Sequence, residues 1–393
     1  MTKFNYIGPI NPTGYGVASS SYLAGLFSLG ENIGFRPIGG VDTNTLKEAN
    51  IAKEQLEKAH SSFDPSKPTF VFWHFHDILR QIQPHNLTGP KVAFSTFEVD
   101  GFKDKEKTDV GHFDIVCTAS TWGTDILRNN FPNVAEPIPH AFKRTEDDSF
   151  PIFNRTNDEV LDSWKRLLKF NLTDPLILST SGKFESRKGH PELFSACAEL
   201  SKDRQVLLTA SVHNPFILDG LPFDYLNANG FGPFFMDNDG ICYNKNNLYL
   251  FFPNRTATRN ELHNLLSFSH YFISPSKAEG WNLPLFEMMS RGVPTIASIN
   301  TAHSDYCSAE STIEVLADSE QPTTKALDGR FFDGTFNWNN ITHSSILSSL
   351  SRSIEVLEDP DQRKSISSEA FNQTSKFSWQ QSAKKIAHLM MTF

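Results

Sequence analysis

The amino-acid sequence predicts an α/β protein of two Rossmann-like domains, each built on a parallel sheet, facing one another across a cleft. Three observations carry that expectation. Short apolar or aromatic runs alternate with segments of helical character in both halves of the chain, and parallel strands need such crossovers. A glycine-bearing loop follows the first apolar run of each half, at Gly14–Gly16 and at Gly182–Gly189. Between the halves, residues 143–175 are polar and punctuated by Asp, Asn and Pro, apart from a helical stretch at Asn157–Leu168. The expected boundaries are 1–165 for the first domain, 170–370 for the second and 371–393 for a closing helix.

Composition narrows the class. With 393 residues, 39% hydrophobic and 21% charged, the chain can bury the cores of two or three domains. No apolar run approaches the ~18 residues of a membrane span. The opening MTKFNYIGPINPTGYG lacks the apolar core and small-residue cleavage site of a secretory signal, so a cytoplasmic location with at most peripheral membrane contact is expected. Cys117, Cys197, Cys242 and Cys307 are far apart and make no zinc spacing, which points to reduced thiols. A net charge of −9 argues against nucleic acid as a partner. Phenylalanine is used 34 times, often in pairs such as Phe234–Phe235, Phe251–Phe252 and Phe331–Phe332, and core packing is the expected use.

Taken in order, KFNYIGPI reads as the first strand, and the segment from Asn11 as a glycine loop that opens a helix. Gly14 and Gly16 mark a place where the backbone turns sharply or approaches a partner such as a phosphate. Gly14-x-Gly16-x-x-Ser19 also resembles a dinucleotide fingerprint with Asp42 as ribose acid, although Ser stands third and Asp42 is late. Residues 43–60 read as one polar helix. PTFVFWHFHDIL reads as a buried strand entering a helix, with His74 and His76 on one strand face and without the further ligands of a hydrolytic metal site. GPKVAFSTFEVDGF is the next strand and loop, and DIVCTASTWGTDIL and EPIPHAF continue the alternation, the latter carrying His140 toward its end.

In the second half, LILSTSG leads into Gly182-Lys183-Phe184-Glu185-Ser186-Arg187-Lys188-Gly189. Cations at the end of a strand suit a diphosphate leaving group, whose charge grows as the bond to it breaks. QVLLTAS and LYLFFP follow as strands, with Asn227–Asp239 as a Gly/Pro/Asn-rich excursion, and ATRNELHNLLSFS as a helix. YFIS is then a strand, Asn282 a candidate cap, and Pro284 fits the first turn of a helix that Gly292 and Pro294 end. Unpaired N–H groups at that helix start favour an anion. Glu279 and Glu287, eight positions apart, bracket it and can accept hydrogen bonds from sugar hydroxyls. The remainder is loop-rich over 317–340, helical at SSILSSLSRSIEVL and again at FSWQQSAKKIAHLMM.

The string EGWNLPLFE followed by MMSRGVPTIAS resembles the E-x7-E signature of retaining glycosyltransferases of family 4, whose fold is GT-B. The resemblance implies a metal-independent transferase, without a further cofactor, that moves a hexose-type sugar from a nucleoside-diphosphate sugar to a hydroxyl on a saccharide, lipid-linked or protein acceptor. In its terms Glu279 faces the donor sugar, Glu287 binds the ribose hydroxyls, and the backbone through Gly280, Asn282 and Leu283 holds the diphosphate. Lys183 and Lys188 match the family's paired cations, with Lys183 where Arg is usual. The loop at Gly14 and Gly16 approaches the diphosphate from the acceptor-side domain, and the closing helix returns to that domain. Thr96-Phe97-Glu98 resembles the family's Thr-Phe-His with Glu in place of His, so Glu98 either acts beside the sugar or acceptor or is a structural carboxylate. That replacement leaves open a non-catalytic binding protein, and the Gly14 loop leaves open a nicotinamide oxidoreductase.

Overall fold

The computed structural model describes residues 2–143, 156–168, 172–214, 221–254, 256, 258–324 and 332–393. The chain divides into two compact units, Met1–Lys143 with Phe377–Phe393, and Arg144–Lys376. Residues 144–155 and 169–171 of the polar stretch, together with Phe331, lie outside the described residues.

The first unit runs β1 (Phe4–Ile10), α1 (Gly14–Ser28), β2 (Ile33–Val41), α2 (Thr43–Glu48), α3 (Lys53–Ser61), β3 (Thr69–Phe72), α4 (Ile78–Ile82), β4 (Lys91–Phe94), α5 (Asp104–Val110), β5 (Ile115–Cys117) and α6 (Thr121–Arg128). Its sheet is parallel throughout, in the order β2-β1-β3-β4-β5. Every residue of β1 and β3 is buried, as central parallel strands covered on both faces require. The order reverses between β1 and β3, so the loops leaving their C-terminal ends flank the crevice where such sheets bind ligands. Three sequence expectations change here. The single helix expected over 43–60 is two helices, because Asn50 adopts a left-handed conformation (φ 58°) that ends the first. β3 stops at Phe72 and the chain turns into a 3-10 turn at Phe75–Asp77, so His74 and His76 do not share a strand face. Residues 136–142 form no strand, since Pro137 and Pro139 withhold ladder donors.

The second unit contains α7 (Asn157–Leu168), β6 (Leu176–Lys183), α8 (His190–Leu200), β7 (Val206–His213), α9 (Leu221–Ala228), β8 (Gly232–Met236), β9 (Gly240–Lys245), β10 (Leu248–Pro253), α10 (Arg259–Ser267), β11 (Tyr271–Ser274), α11 (Leu283–Ser290), β12 (Thr295–Ala297), β13 (Ile313–Glu314), β14 (Ser319–Pro322), β15 (Asn337–Asn340), α12 (His343–Leu357) and α13 (Pro360–Ser375). Its main sheet has the order β13-β12-β11-β6-β7-β10-β9-β8, parallel as far as β10, with β9 and β8 added antiparallel. The excursion at 227–239 therefore carries a strand, and the loop-rich 317–340 holds the β14–β15 ribbon. Val160 and Trp164 pack α7 onto Ile177, Leu207 and Phe251, so this helix belongs to the second unit, whereas the expected first domain, 1–165, ended inside it. Phe251 and Phe252 are core residues, whereas Phe234 on β8 is exposed.

The last helix, α14 (Trp379–Met390), packs in the first unit. Trp379 sets its ring edge against Tyr22 at 5.1 Å, and Ser382 donates to the carbonyl of Pro139. A Cβ on Gly25 would lie 2.8 Å from that of Ala383, so only glycine lets the two helices come this close. All four cysteines are free and buried. No helix among the described residues is long and apolar enough to cross a membrane.

Candidate functional site

In the second unit the direction of strand order changes between β6 and β11, which are hydrogen-bonded neighbours. The loops leaving their C-terminal ends carry Lys183–Gly189 and Pro275–Asn282, and the topology therefore sets these two segments side by side. Gly189 makes the approach possible. It is left-handed (φ 69°), and a Cβ there would lie 2.4 Å from the carbonyl oxygen of Pro275. The amide of Lys277 donates to the carbonyl of Arg187 at 2.8 Å and ties the loops together.

Ionic side chains fill the junction. Glu279, Lys188, Arg187 and Glu185 are all buried. Lys188 Nζ lies 2.6 Å from Glu279 Oε1, and Arg187 Nη1 lies 2.7 Å from Glu279 Oε2. Arg187 also pairs with Glu185, and Lys183 Nζ, at the exposed end, stands 3.5 Å from Glu185. Burial opposes a charge on Glu279, but Arg187 and Lys188 outweigh it and hold the carboxyl well below the usual range. Three cations against two carboxylates leave this cluster with a net positive charge, as an anion-binding site needs. Arg187 was given no role by sequence reasoning. The nearest signal was its place beside Lys188 with Glu185 two residues earlier.

The backbone of Glu279 is gripped from the far side. Its amide donates to Thr301 Oγ1 at 2.9 Å, and its carbonyl accepts from the amide of Ala302 at 3.2 Å. Thr301 is left-handed (φ 46°), an unusual conformation for a β-branched residue and a strain that the surrounding contacts must hold.

Gly280 and Leu283 are buried at the start of α11, with Leu283 its first residue. Asn282 precedes the helix in a left-handed conformation (φ 72°) and does not cap it. Its amide nitrogen instead donates to Ser274 Oγ at 2.9 Å and pairs with His303 Nε2 at 3.0 Å. Glu287 lies in the second turn of α11 and is buried. Arg259 pairs with its Oε1, and His263 Nε2 is 2.8 Å from its Oε2. Burial would raise this carboxyl, yet Arg259 and then His263 keep it below the ordinary range. A carboxylate oxygen has two lone-pair directions, so each retains an acceptor site toward a diol.

Gly14, Gly16 and Glu98 fall in the first unit. Gly14 is exposed in the first turn of α1, and Gly16 is buried under Asn11, whose backbone nitrogen would lie 2.4 Å from a Cβ there. Close packing on Asn11 explains that glycine. Between them Tyr15 donates its hydroxyl to the carbonyl of Thr96 at 2.5 Å and lies 3.8 Å, ring to ring, from His74. Glu98 is half-buried, and its charge adds to burial in raising the Tyr15 phenol. Asp42 Oδ1 caps α2 by accepting from the Thr45 amide at 2.7 Å, which accounts for the acid that a dinucleotide reading would assign to ribose. His140 packs among Tyr22, Phe72, Phe94 and Trp379, and burial lowers it to about 3. It is a core residue. Among the described residues no group of three His, Cys, Asp or Glu side chains is placed to hold a metal ion.

No family model matches the sequence, and no curated protein matches it. Solved structures do match. The Anabaena HepE protein in complex with UDP and glucose superposes over the whole of both chains, with a TM-score of 0.63 at 12% identity. A glycosyltransferase from Rickettsia africae covers 99% of this chain and 97% of its own (TM-score 0.64, 13% identity). Sucrose-phosphate synthase from Thermosynechococcus elongatus covers 100% and 99% (TM-score 0.62, 14% identity). At such identities the likeness speaks for architecture, and the architecture of this chain is the two-unit α/β GT-B fold.

Proposed function

We propose that the protein is a glycosyltransferase that moves a sugar from a nucleoside-diphosphate donor to a hydroxyl acceptor with retention of anomeric configuration. The observation that carries this reading is the junction of the β6 and β11 loops, where Glu279 is buried against Lys188 eight residues before the equally buried Glu287. The fold is shared with solved structures of HepE with UDP and with UDP-glucose, of sucrose-phosphate synthase and of trehalose-6-phosphate synthase, which supports it.

In this reading the diphosphate rests on the first turn of α11 and on Lys188 and Lys183, with the ribose at Glu287. As the anomeric bond breaks, the electron pair goes to the diphosphate oxygen, and the nearby cations and helix start stabilise the charge that develops. The acceptor hydroxyl attacks on the face from which the diphosphate departs and passes its proton to a phosphate oxygen. Glu98 stands on the acceptor side, where Glu98→Gln separates a chemical from a structural carboxylate. A saccharide, lipid-linked or protein acceptor suits this chemistry equally.

A thermal-shift screen against UDP, GDP, ADP and NAD, with and without EDTA, tests the reading. Saturation at 100 times the dissociation constant adds roughly 2.7 kcal/mol to the stability of the folded state. Stabilisation by one nucleoside diphosphate, unaffected by EDTA and lost in Glu287→Ala, is the expected result. Stabilisation by NAD alone would overturn it.

A further inference from the structure

The hydrogen bonds around Asn282 fix the chemistry of the atom they leave over. His303 Nδ1 lies 2.7 Å from the carbonyl oxygen of Ser298, and a carbonyl only accepts, so the ring proton sits on Nδ1. His303 is buried and lowered to about 4, first by that burial, so the ring is neutral and Nε2 is an acceptor. The group 3.0 Å from Nε2 must then be a donor, which makes it the NH2 of Asn282 and not its oxygen. The second proton of that NH2 goes to Ser274 Oγ. Asn282 Oδ1 is consequently locked away from both partners. It is a buried acceptor with no hydrogen bond among the described residues, on a residue 7% exposed.

A buried acceptor of this kind calls for a donor from outside. Phosphate oxygens are acceptors and would repel it, so the diphosphate does not sit on this atom. A sugar hydroxyl is a donor. Resting on the nucleotide-sugar reading above, we propose that Asn282 Oδ1 accepts a hydrogen bond from a hydroxyl of the transferred sugar, with His303 as the positioning residue that fixes the amide's orientation. Specificity for the sugar is thereby separated from binding of the diphosphate, which uses the backbone of the same turn. The left-handed backbone of Asn282 presents the amide while leaving the first turn of α11 intact.

Calorimetric titration of the full chain with UDP, GDP and ADP and with their glucose and N-acetylglucosamine conjugates, including monodeoxy sugars, tests this. Asn282→Gly tolerates the left-handed backbone and removes the side chain, with its bonds to Ser274 and His303. The expected result is a loss of affinity for the sugar conjugate about tenfold larger than any loss for the free nucleoside diphosphate, and one deoxy position that costs about tenfold in the wild type and nothing in the variant. His303→Phe should shrink the same sugar-to-nucleotide ratio, whereas a merely structural histidine would lower the melting temperature and leave the ratio alone. Equal losses for nucleotide and conjugate, or deoxy sugars that all bind like the parent, would overturn the proposal while the transferase reading stands. Failure of the wild type to bind any nucleoside diphosphate overturns both.

Discussion

Arg187 illustrates how one buried side chain decides the state of its neighbours. It touches Glu185 and Glu279 together, whereas Lys188 reaches Glu279 and Lys183 reaches Glu185. Replacing Arg187 by Met leaves two buried carboxylates short of a partner and should cost about 3–5 kcal/mol of stability in urea denaturation. Lys188→Ala should cost less, because Arg187 still pairs with Glu279, but should lower turnover about 10²–10³-fold through loss of a charge at the leaving group. Equal stability losses with unaltered turnover would contradict this division. The sequence made Lys188 legible as a cation at a strand end, but it could not say that the adjacent Arg187 turns inward as well. It also made Asn282 a cap. Asparagine tolerates the left-handed region, and with two better partners in Ser274 and His303 the side chain leaves the helix uncapped.

At the scale of elements, the site depends on two loops meeting at a glycine. Gly189→Ala places a methyl 2.4 Å from the carbonyl of Pro275 and strains a backbone at φ 69°. The β6 loop must then back away from the β11 loop. Expected are a loss of about 1–3 kcal/mol in thermal unfolding and weaker nucleoside-diphosphate binding, while Gly230→Ala, equally left-handed but open around its Cβ, should lose stability without losing affinity. Most strands and helices around this junction, from YFIS to PTIAS, are readable because each is a compact apolar run bounded by Gly or Pro. The β8–β9 hairpin is not. Its β8 residues alternate no apolar face and Phe234 is exposed, so only pairing with β10 through β9 reveals a strand. The partners of Glu287 escape for a related reason. Arg259 and His263 are one turn apart on α10, a helix whose direction against α11 no local pattern encodes.

Over the whole molecule, buried histidines should dominate the response to acid. His140, His190 and His270 are lowered to about 3 and His303 to about 4, each first by burial. All are neutral when folded and titrate near ~6.5 when unfolded. Below that value the unfolded chain binds protons that the folded chain refuses, so stability is full above pH ~6.5 and falls toward pH 4, by up to about 1.4 kcal/mol per pH unit for each histidine. Loss of the Glu279 charge acts in the same direction at still lower pH. Urea midpoints measured at pH 7.5, 6.0 and 5.0 should drop steeply, and a flat series would remove these histidines from the account. Helix α14 has a different kind of consequence. It completes the first unit from a segment made after all of Arg144–Lys376. On the ribosome, at about 5–20 residues per second, the surface of α1 around Tyr22 and Gly25 waits on the order of 10–50 s for its cover. The first unit therefore stays without its last helix for as long as the second is being made.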